Sequence, residues 1–260
     1  MKPKSAALGS GAGLRPAFVE HAIESPGATI AYHVREGRSP PLVLIPGSFN
    51  AAGALKDIVD HLDPALHVVV VDLPGHGGSW PPPVDGSIEL FAGDVLRVLD
   101  TLNLSSCFVG GHSIGGMIAL EIARVRPEAL RGVISIEGWT NHRAQHDAFH
   151  DDTMSTLSAE QLAERERLRQ QVLHRWTDRQ RAHFAAIWRT WDGYDILQQT
   201  DLPILELYGD RGRQPATHEQ LHLPRRDNIE LRWLAGASHS LPLERPREIA
   251  RLIADFMQRT

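Results

Sequence analysis

Apolar positions in this chain fall into short unbroken runs separated by glycine-rich turns and by amphipathic stretches of helical period. Pro41-Leu42-Val43-Leu44-Ile45, His67 to Val71, Cys107-Phe108-Val109-Gly110 and Gly132 to Ile136 are the runs, and further strands are predicted at Pro203 to Tyr208 and Ile229 to Trp233. A strand that is apolar at successive positions, rather than at every second one, is buried on both faces. Helices are predicted between these strands, near Ala54–Leu62, Ile88–Leu102 and Met117–Val125, with a closing helix over Arg247–Met257. Strand and helix in alternation predict an α/β fold, a mostly parallel sheet with helices on both faces. Residues Phe18 to Arg35 alternate loosely about Gly27 and predict an opening antiparallel hairpin.

The alternation stops between about Asn141 and Gln199. This stretch has no strand-like run and is rich in Arg, Gln, Glu and His. Ser158-Ala-Glu-Gln161 and Thr177-Asp-Arg-Gln180 have the spacing of capping boxes, in which a hydroxyl and a carboxamide three residues apart satisfy each other's backbone N–H groups. The expected organisation is therefore a core from residues 18–140 and 200–260, with a helical cap over 141–199. Residues 1–17 are expected to be a disordered leader, because glycine and serine interrupt them before a signal-like apolar segment can form.

At 260 residues, 42% apolar, the chain can bury a substantial core. Its net charge is −5, and no basic stripe lies on a predicted strand or groove, so nucleic acid is not an expected partner. No apolar run is long enough to span a bilayer, and the cytoplasm is the expected location. Cys107 is the only cysteine, set in a buried-strand context that suits packing rather than chemistry.

Chemistry enters at Gly111-His112-Ser113-Ile114-Gly115. It follows an apolar run and precedes a helix, the setting of the G-x-S-x-G elbow that holds a nucleophilic serine in a strained turn. The glycines two before and two after Ser113 must lack side chains that would meet the flanking strand and helix.

With these residues in place, the chain from about residue 20 onward resembles the α/β-hydrolases. Asp72-Leu-Pro-Gly-His-Gly-Gly-Ser79 is similar to the family's turn before the elbow. Gly236-Ala-Ser-His-Ser-Leu-Pro-Leu-Glu-Arg-Pro246 is similar to its C-terminal histidine loop. The resemblance implies Ser113 as nucleophile, His239 as base, and an oxyanion hole formed by the main-chain N–H groups of Ile114 and Ser48. The family usually has His-Gly-x where this chain has Pro46-Gly47-Ser48, a tolerable change because the donor is backbone. Phe49 is expected to line the pocket, and His76 and His112 to be structural.

The triad acid departs from the family pattern. The strand ending Leu205-Glu-Leu-Tyr-Gly209 is usually followed by Gly-Asp-x-Asp, but this chain reads Gly209-Asp210-Arg211-Gly212, so glycine stands where the carboxylate belongs. Two candidates remain. Asp210 is near, though in relatives it forms the turn. Glu137 ends the run Val133 to Ile136, at the sheet edge that also receives Ser113. Some relatives, zearalenone-lactone hydrolases and several haloalkane dehalogenases among them, carry their acid there. Glu137 is the assignment, with Asp210 as the alternative; a bland reading of Glu137 is pairing with a cap arginine such as Arg143.

The resemblance implies hydrolysis of a carboxylic ester or lactone with no metal or cofactor, a small apolar ester or lactone as partner, and room for a homodimer. Alternatives are hydrolysis of a carbon–carbon bond by the same triad, or a ligand-binding receptor on a hydrolase scaffold. Trp139, Trp176, Trp188 and Trp191 lie in or beside the insertion and are candidates for substrate contact. His142, His146 and His150 recur every four residues; surface histidines are expected there rather than a zinc site.

Overall fold

The computed structural model describes residues 18–149 and 157–260; the predicted leader and His150 lie outside them. One eight-stranded sheet organises the chain. Its strands are β1 (Val19–Ser25), β2 (Ala28–Arg35), β3 (Arg38–Ile45), β4 (Leu66–Val71), β5 (Cys107–His112), β6 (Leu130–Ile136), β7 (Ile204–Gly209) and β8 (Ile229–Leu234). They lie in the order β1-β2-β4-β3-β5-β6-β7-β8. β1 pairs antiparallel with β2 and β2 antiparallel with β4, and β3 to β8 run parallel.

The unbroken apolar runs have the predicted cause. Along β3 and β4, Val43, Ile45, Val69 and Val71 face one core, whereas Leu42, Leu44, Val68 and Val70 face the other. The first core is closed by α2 (Ile88–Thr101) and α3 (Ile114–Val125). The second is closed by α1 (Lys56–His61) and by the C-terminal helix over Pro246–Arg259, through Ile58, Val59, Ile249, Ile253 and Phe256. Two details differ from the sequence expectation. The helix near Ala54–Leu62 begins as a 3-10 turn, Ala52–Leu55, before α1. The helix after the elbow starts at Ile114, immediately behind the serine, rather than at Met117.

Between β6 and β7 lie α4 (His142–Phe149), α5 (Ala159–Leu173), α6 (Asp178–Ala186), a 3-10 turn over Ile187–Thr190, and α7 (Tyr194–Gln199). Both capping boxes form as read: Ser158 with Gln161 opens α5, and Thr177 with Gln180 opens α6. Such caps fix where weakly amphipathic helices start, because each satisfies backbone donors that packing leaves exposed. An isolated bridge between Asn141 and Asp192 ties the two ends of the segment together, reinforced by Asn141 Nδ2 donating to Asp192 Oδ2 at 3.1 Å. No helix among the described residues is long and apolar enough to cross a membrane.

Candidate active site

Parallel sheets gather loops at the carboxyl ends of their strands, and here β3, β5, β6 and β7 deliver four such loops to one rim. Ser113 follows β5 with φ of 55° and ψ of −121°, a conformation costly for a residue with a side chain. The elbow is held by crowding. A Cβ on Gly115 would lie 2.2 Å from the Ile45 carbonyl oxygen, and one on Gly111 would lie 2.5 Å from the same atom. The Ser113 N–H donates to the Ile136 carbonyl at 2.8 Å, which anchors the turn to β6.

His239 sits in the loop between β8 and α8 (Leu241–Glu244), ahead of α9 (Pro246–Arg259). Its Nε2 lies 3.1 Å from Ser113 Oγ, and its Nδ1 lies 3.1 Å from Glu137 Oε2. A carboxylate on Nδ1 selects the tautomer with the proton there, leaving Nε2 free to accept from the serine. Glu244 clamps this loop, accepting from the Ser238 N–H at 2.6 Å and from Ser238 Oγ at 2.8 Å. His112 donates from Nε2 to the His239 carbonyl at 2.8 Å, and burial pushes its imidazole down to about 3, so it stays neutral. The elbow is thus tied directly to the histidine loop.

Glu137 follows β6 with φ of 55°, its N–H donating to Leu207 at 2.8 Å, and its side chain is fully buried. Asp210 does not reach this cluster. Its Oδ1 accepts from the N–H groups of Gly212 at 2.8 Å and Gly236 at 2.6 Å, the work of a turn-former. Glu137 does pair with an arginine, but the partner is Arg211 and not Arg143, and the pairing coexists with the contact to His239. The Arg211 guanidinium donates to Oε1 at 2.6 Å and to Oε2 at 2.7 Å, and also to the Gly209 carbonyl at 2.5 Å. Its carbon lies 4.1 Å from the centre of the Phe149 ring. The Gly209 N–H donates to Oε1 as well, at 2.7 Å. Burial by itself would raise the Glu137 carboxyl. The hydrogen bonds and charge of Arg211, helped by His239, overcome it and hold the group at about 2.

Sequence reasoning missed Arg211. The signal was present, since a long cation stands beside the glycine that vacates the usual acid position. Its inward direction follows from backbone that no one-dimensional pattern displays: φ is 55° at Arg211 and 68° at Gly212.

Ser48 and Ile114 both lie near Ser113, Ser48 in the lining of the cavity above it and Ile114 at the first turn of α3. The Phe49 N–H is already committed, donating to His76 Nε2 at 3.0 Å, while His76 Nδ1 donates to the Pro74 carbonyl at 3.0 Å. Burial pushes the His76 imidazole down to about 4, which keeps its Nε2 an acceptor. Asp72, also buried, accepts from the Ala52 N–H at 2.7 Å and the Gly78 N–H at 3.1 Å and so fixes both loops.

The cavity has a volume of about 500 Å³ and is walled by Phe49, Leu55, Leu168, Trp188, Pro242 and Leu243. Of the four tryptophans, Trp188 lines it and the Trp139 ring lies 4.9 Å from the His239 ring. Trp176 and Trp191 instead donate to the Gly75 carbonyl, at 2.7 Å, and to Glu121, at 3.2 Å. His142 packs on Trp188, and His146 and His222 both contact Asp147. Among the described residues, no three His, Cys, Asp or Glu side chains are grouped to hold a metal ion. Burial raises the Cys107 thiol to about 12, far from a nucleophile.

A strained serine after a central strand, approached by a histidine from the last loop of a parallel sheet, defines the α/β-hydrolase architecture. The chain belongs to the alpha/beta hydrolase fold family, whose model matches residues 40–222. It is 30% identical over 108 residues to (E)-2-((N-methylformamido)methylene)succinate hydrolase of Acinetobacter baylyi, a match covering 42% of this chain and 41% of that protein. Matches to three further curated relatives likewise cover only 40% to 43% of their length. Among solved structures, a thermophilic esterase from Thermogutta terrifontis superposes with a TM-score of 0.71 at 20% identity, over 92% of this chain and 98% of that one. The enol-lactonase from Burkholderia xenovorans gives 0.72 at 19% identity, over 92% and 100%. These two likenesses are of fold.

Proposed function

We propose that the protein is a serine hydrolase that cleaves a carboxylic ester or lactone through an acyl-enzyme on Ser113. The observation that carries this reading is the continuous relay from Glu137 through His239 to Ser113, with both links at 3.1 Å. Ser113 Oγ attacks the carbonyl carbon while His239 Nε2 takes its proton, and Glu137 stabilises the imidazolium that forms. The negative charge that develops on the carbonyl oxygen falls to the N–H groups of Ser48 and Ile114, the Phe49 N–H being occupied by His76. His239 then returns its proton to the leaving alkoxide. Water, deprotonated by the same histidine, releases the acid and restores Ser113.

Apolar walls on the cavity support an apolar acyl or alcohol portion. The chain's similarity to an esterase, an enol-lactonase and a hydrolase of a formamido-substituted succinate supports acyl transfer to water and extends the substrate panel to a C–N acyl bond. The test is release of nitrophenol from p-nitrophenyl esters. An initial burst followed by steady turnover is expected, with both abolished in Ser113→Ala. Tight binding of the ester by wild-type protein with no turnover would favour the receptor reading instead.

A further inference from the structure

Helix α5 lies across the mouth of the cavity. It is fastened to the far wall by Gln161 Nε2, which donates to the Leu243 carbonyl at 2.8 Å. Arg165, Glu166, Leu168 and Arg169 all line the space above Ser113. Arg165 and Arg169 are one turn apart and so share a face of the helix. One reaches the histidine loop and the other the loop after β3. Arg165 Nη1 is 3.4 Å from the hydroxyl of Ser240, the residue after the base, whereas the Arg169 guanidinium carbon is 5.1 Å from the Phe49 ring, beside Ser48.

Their pairing differs from that of the other arginine on this helix. Arg167 is held by Glu164 Oε1 and Oε2 at 2.6 and 2.7 Å. Among the described residues, no carboxylate forms an ion pair with either Arg165 or Arg169. Glu166, the one acidic side chain lining the cavity among the described residues, accepts from Gln170 Nε2 at 2.6 Å. His112 is neutral. Among the described residues lining the cavity, two guanidinium groups against one carboxylate leave a single excess positive charge beside walls that are mainly apolar.

We infer that this mouth is a carboxylate-binding subsite and that the substrate is an ester or lactone bearing one carboxylate at some distance from the bond cleaved. The inference rests, for its chemistry, on the hydrolase reading above. Arginine's planar fork matches a carboxylate, and weak hydration makes guanidinium the cation best suited to meet one at a partly apolar site. One excess charge fits a monoanion; Glu166 opposes a dianion such as phosphate. The pair also draws anions toward the cavity, an effect that salt weakens.

Two esters of equal acyl length test this, p-nitrophenyl hexanoate and mono-p-nitrophenyl adipate, which differ by a terminal carboxylate. Wild-type protein is expected to favour the adipate in kcat/KM by at least tenfold at low ionic strength. The ratio should fall with added salt and collapse at least tenfold in the Arg165→Gln/Arg169→Gln double variant. A ratio near one in wild type, or one unmoved in the double variant, overturns the subsite while leaving the hydrolase reading intact. A second arm reads binding without turnover. Calorimetry on Ser113→Ala should find monomethyl adipate bound at least tenfold more tightly than dimethyl adipate, with the difference lost when both arginines are replaced. If neither nitrophenyl ester is turned over but this arginine-dependent binding appears, the subsite stands and the hydrolase reading fails. Equal binding of the two methyl esters overturns the subsite.

Discussion

Arg211 grips both oxygens of Glu137, at 2.6 and 2.7 Å, while Glu137 Oε2 also contacts His239. The turn after β7 has thus exchanged its role. Instead of presenting an acid to the histidine, it presents a cation to an acid supplied by β6. Both side chains are essentially inaccessible, so each is the other's principal compensation for lost hydration.

Removing the cation should be costly. Arg211→Met leaves an uncompensated buried charge, and a stability loss of about 3–5 kcal/mol is expected in urea unfolding. Burial would then act on Glu137 against only His239 and the Gly209 N–H, so its carboxyl rises and activity disappears at a higher pH than in wild type. Arg211→Lys keeps the charge but not the two-pronged grip, and should fall between the two in both measurements. An acid limb that stays in place in every variant that folds would show that Arg211 does not tune the relay.

The same pair sets part of the acid stability. A carboxyl lowered to about 2 in the folded state contributes stability that is complete above the ordinary carboxylate range and is lost as pH falls toward 2. Glu137→Gln should remove that portion of the pH dependence. Thermal midpoints recorded from pH 6 down to pH 2 will display a shallower decline if this is right.

Assigning the acid to Glu137 rather than Asp210 has a kinetic consequence. Glu137→Ala should lower kcat by about 10⁴, through loss of the correct imidazole tautomer. Asp210→Ala removes the acceptor of two backbone N–H groups and should cost about 1–3 kcal/mol of stability, with turnover largely kept. Steady-state rates and melting curves for the two variants decide the matter, and the reverse ranking rejects the assignment.

Glu206, on β7, is a second fully buried carboxyl, placed opposite Ser135 in the β6–β7 register. Burial raises it to about 8; the Ser135 and Tyr208 hydroxyls oppose the rise and the Glu137 charge adds to it. The folded protein therefore holds this proton where the unfolded chain has released it, and stability falls as pH climbs from about 4.5 to about 8. Glu206→Gln should flatten that fall and raise the thermal midpoint more at pH 8 than at pH 5. An unchanged slope would mean that Glu206 ionises normally.

The elbow offers a steric prediction. A methyl group on residue 115 would meet the Ile45 carbonyl oxygen at 2.2 Å and the Pro46 carbonyl oxygen at 2.9 Å, both backbone. Gly115→Ala is expected to lose about 1–3 kcal/mol or more of stability, and to lose turnover beyond that, because relief requires the turn holding Ser113 to shift.

The amino-acid pattern by itself determined the strands, the helices between them and the direction in which the sheet had to run. Doubly buried strands leave a mark in one dimension: Val68 to Val71 is apolar throughout because both faces of β4 are covered. The elbow and the capping boxes were legible for a similar reason, since each is a local device whose partners lie within a few residues. Only the tertiary structure decided which carboxylate meets His239, because Glu137 and His239 are 102 positions apart and their contact depends on the β6–β7–β8 register. It also decided that Arg211 turns inward and that Arg165 and Arg169 overlook Ser113. The direction of a long charged side chain depends on backbone dihedrals and on which distant surfaces surround it, and spacing along the chain carries neither.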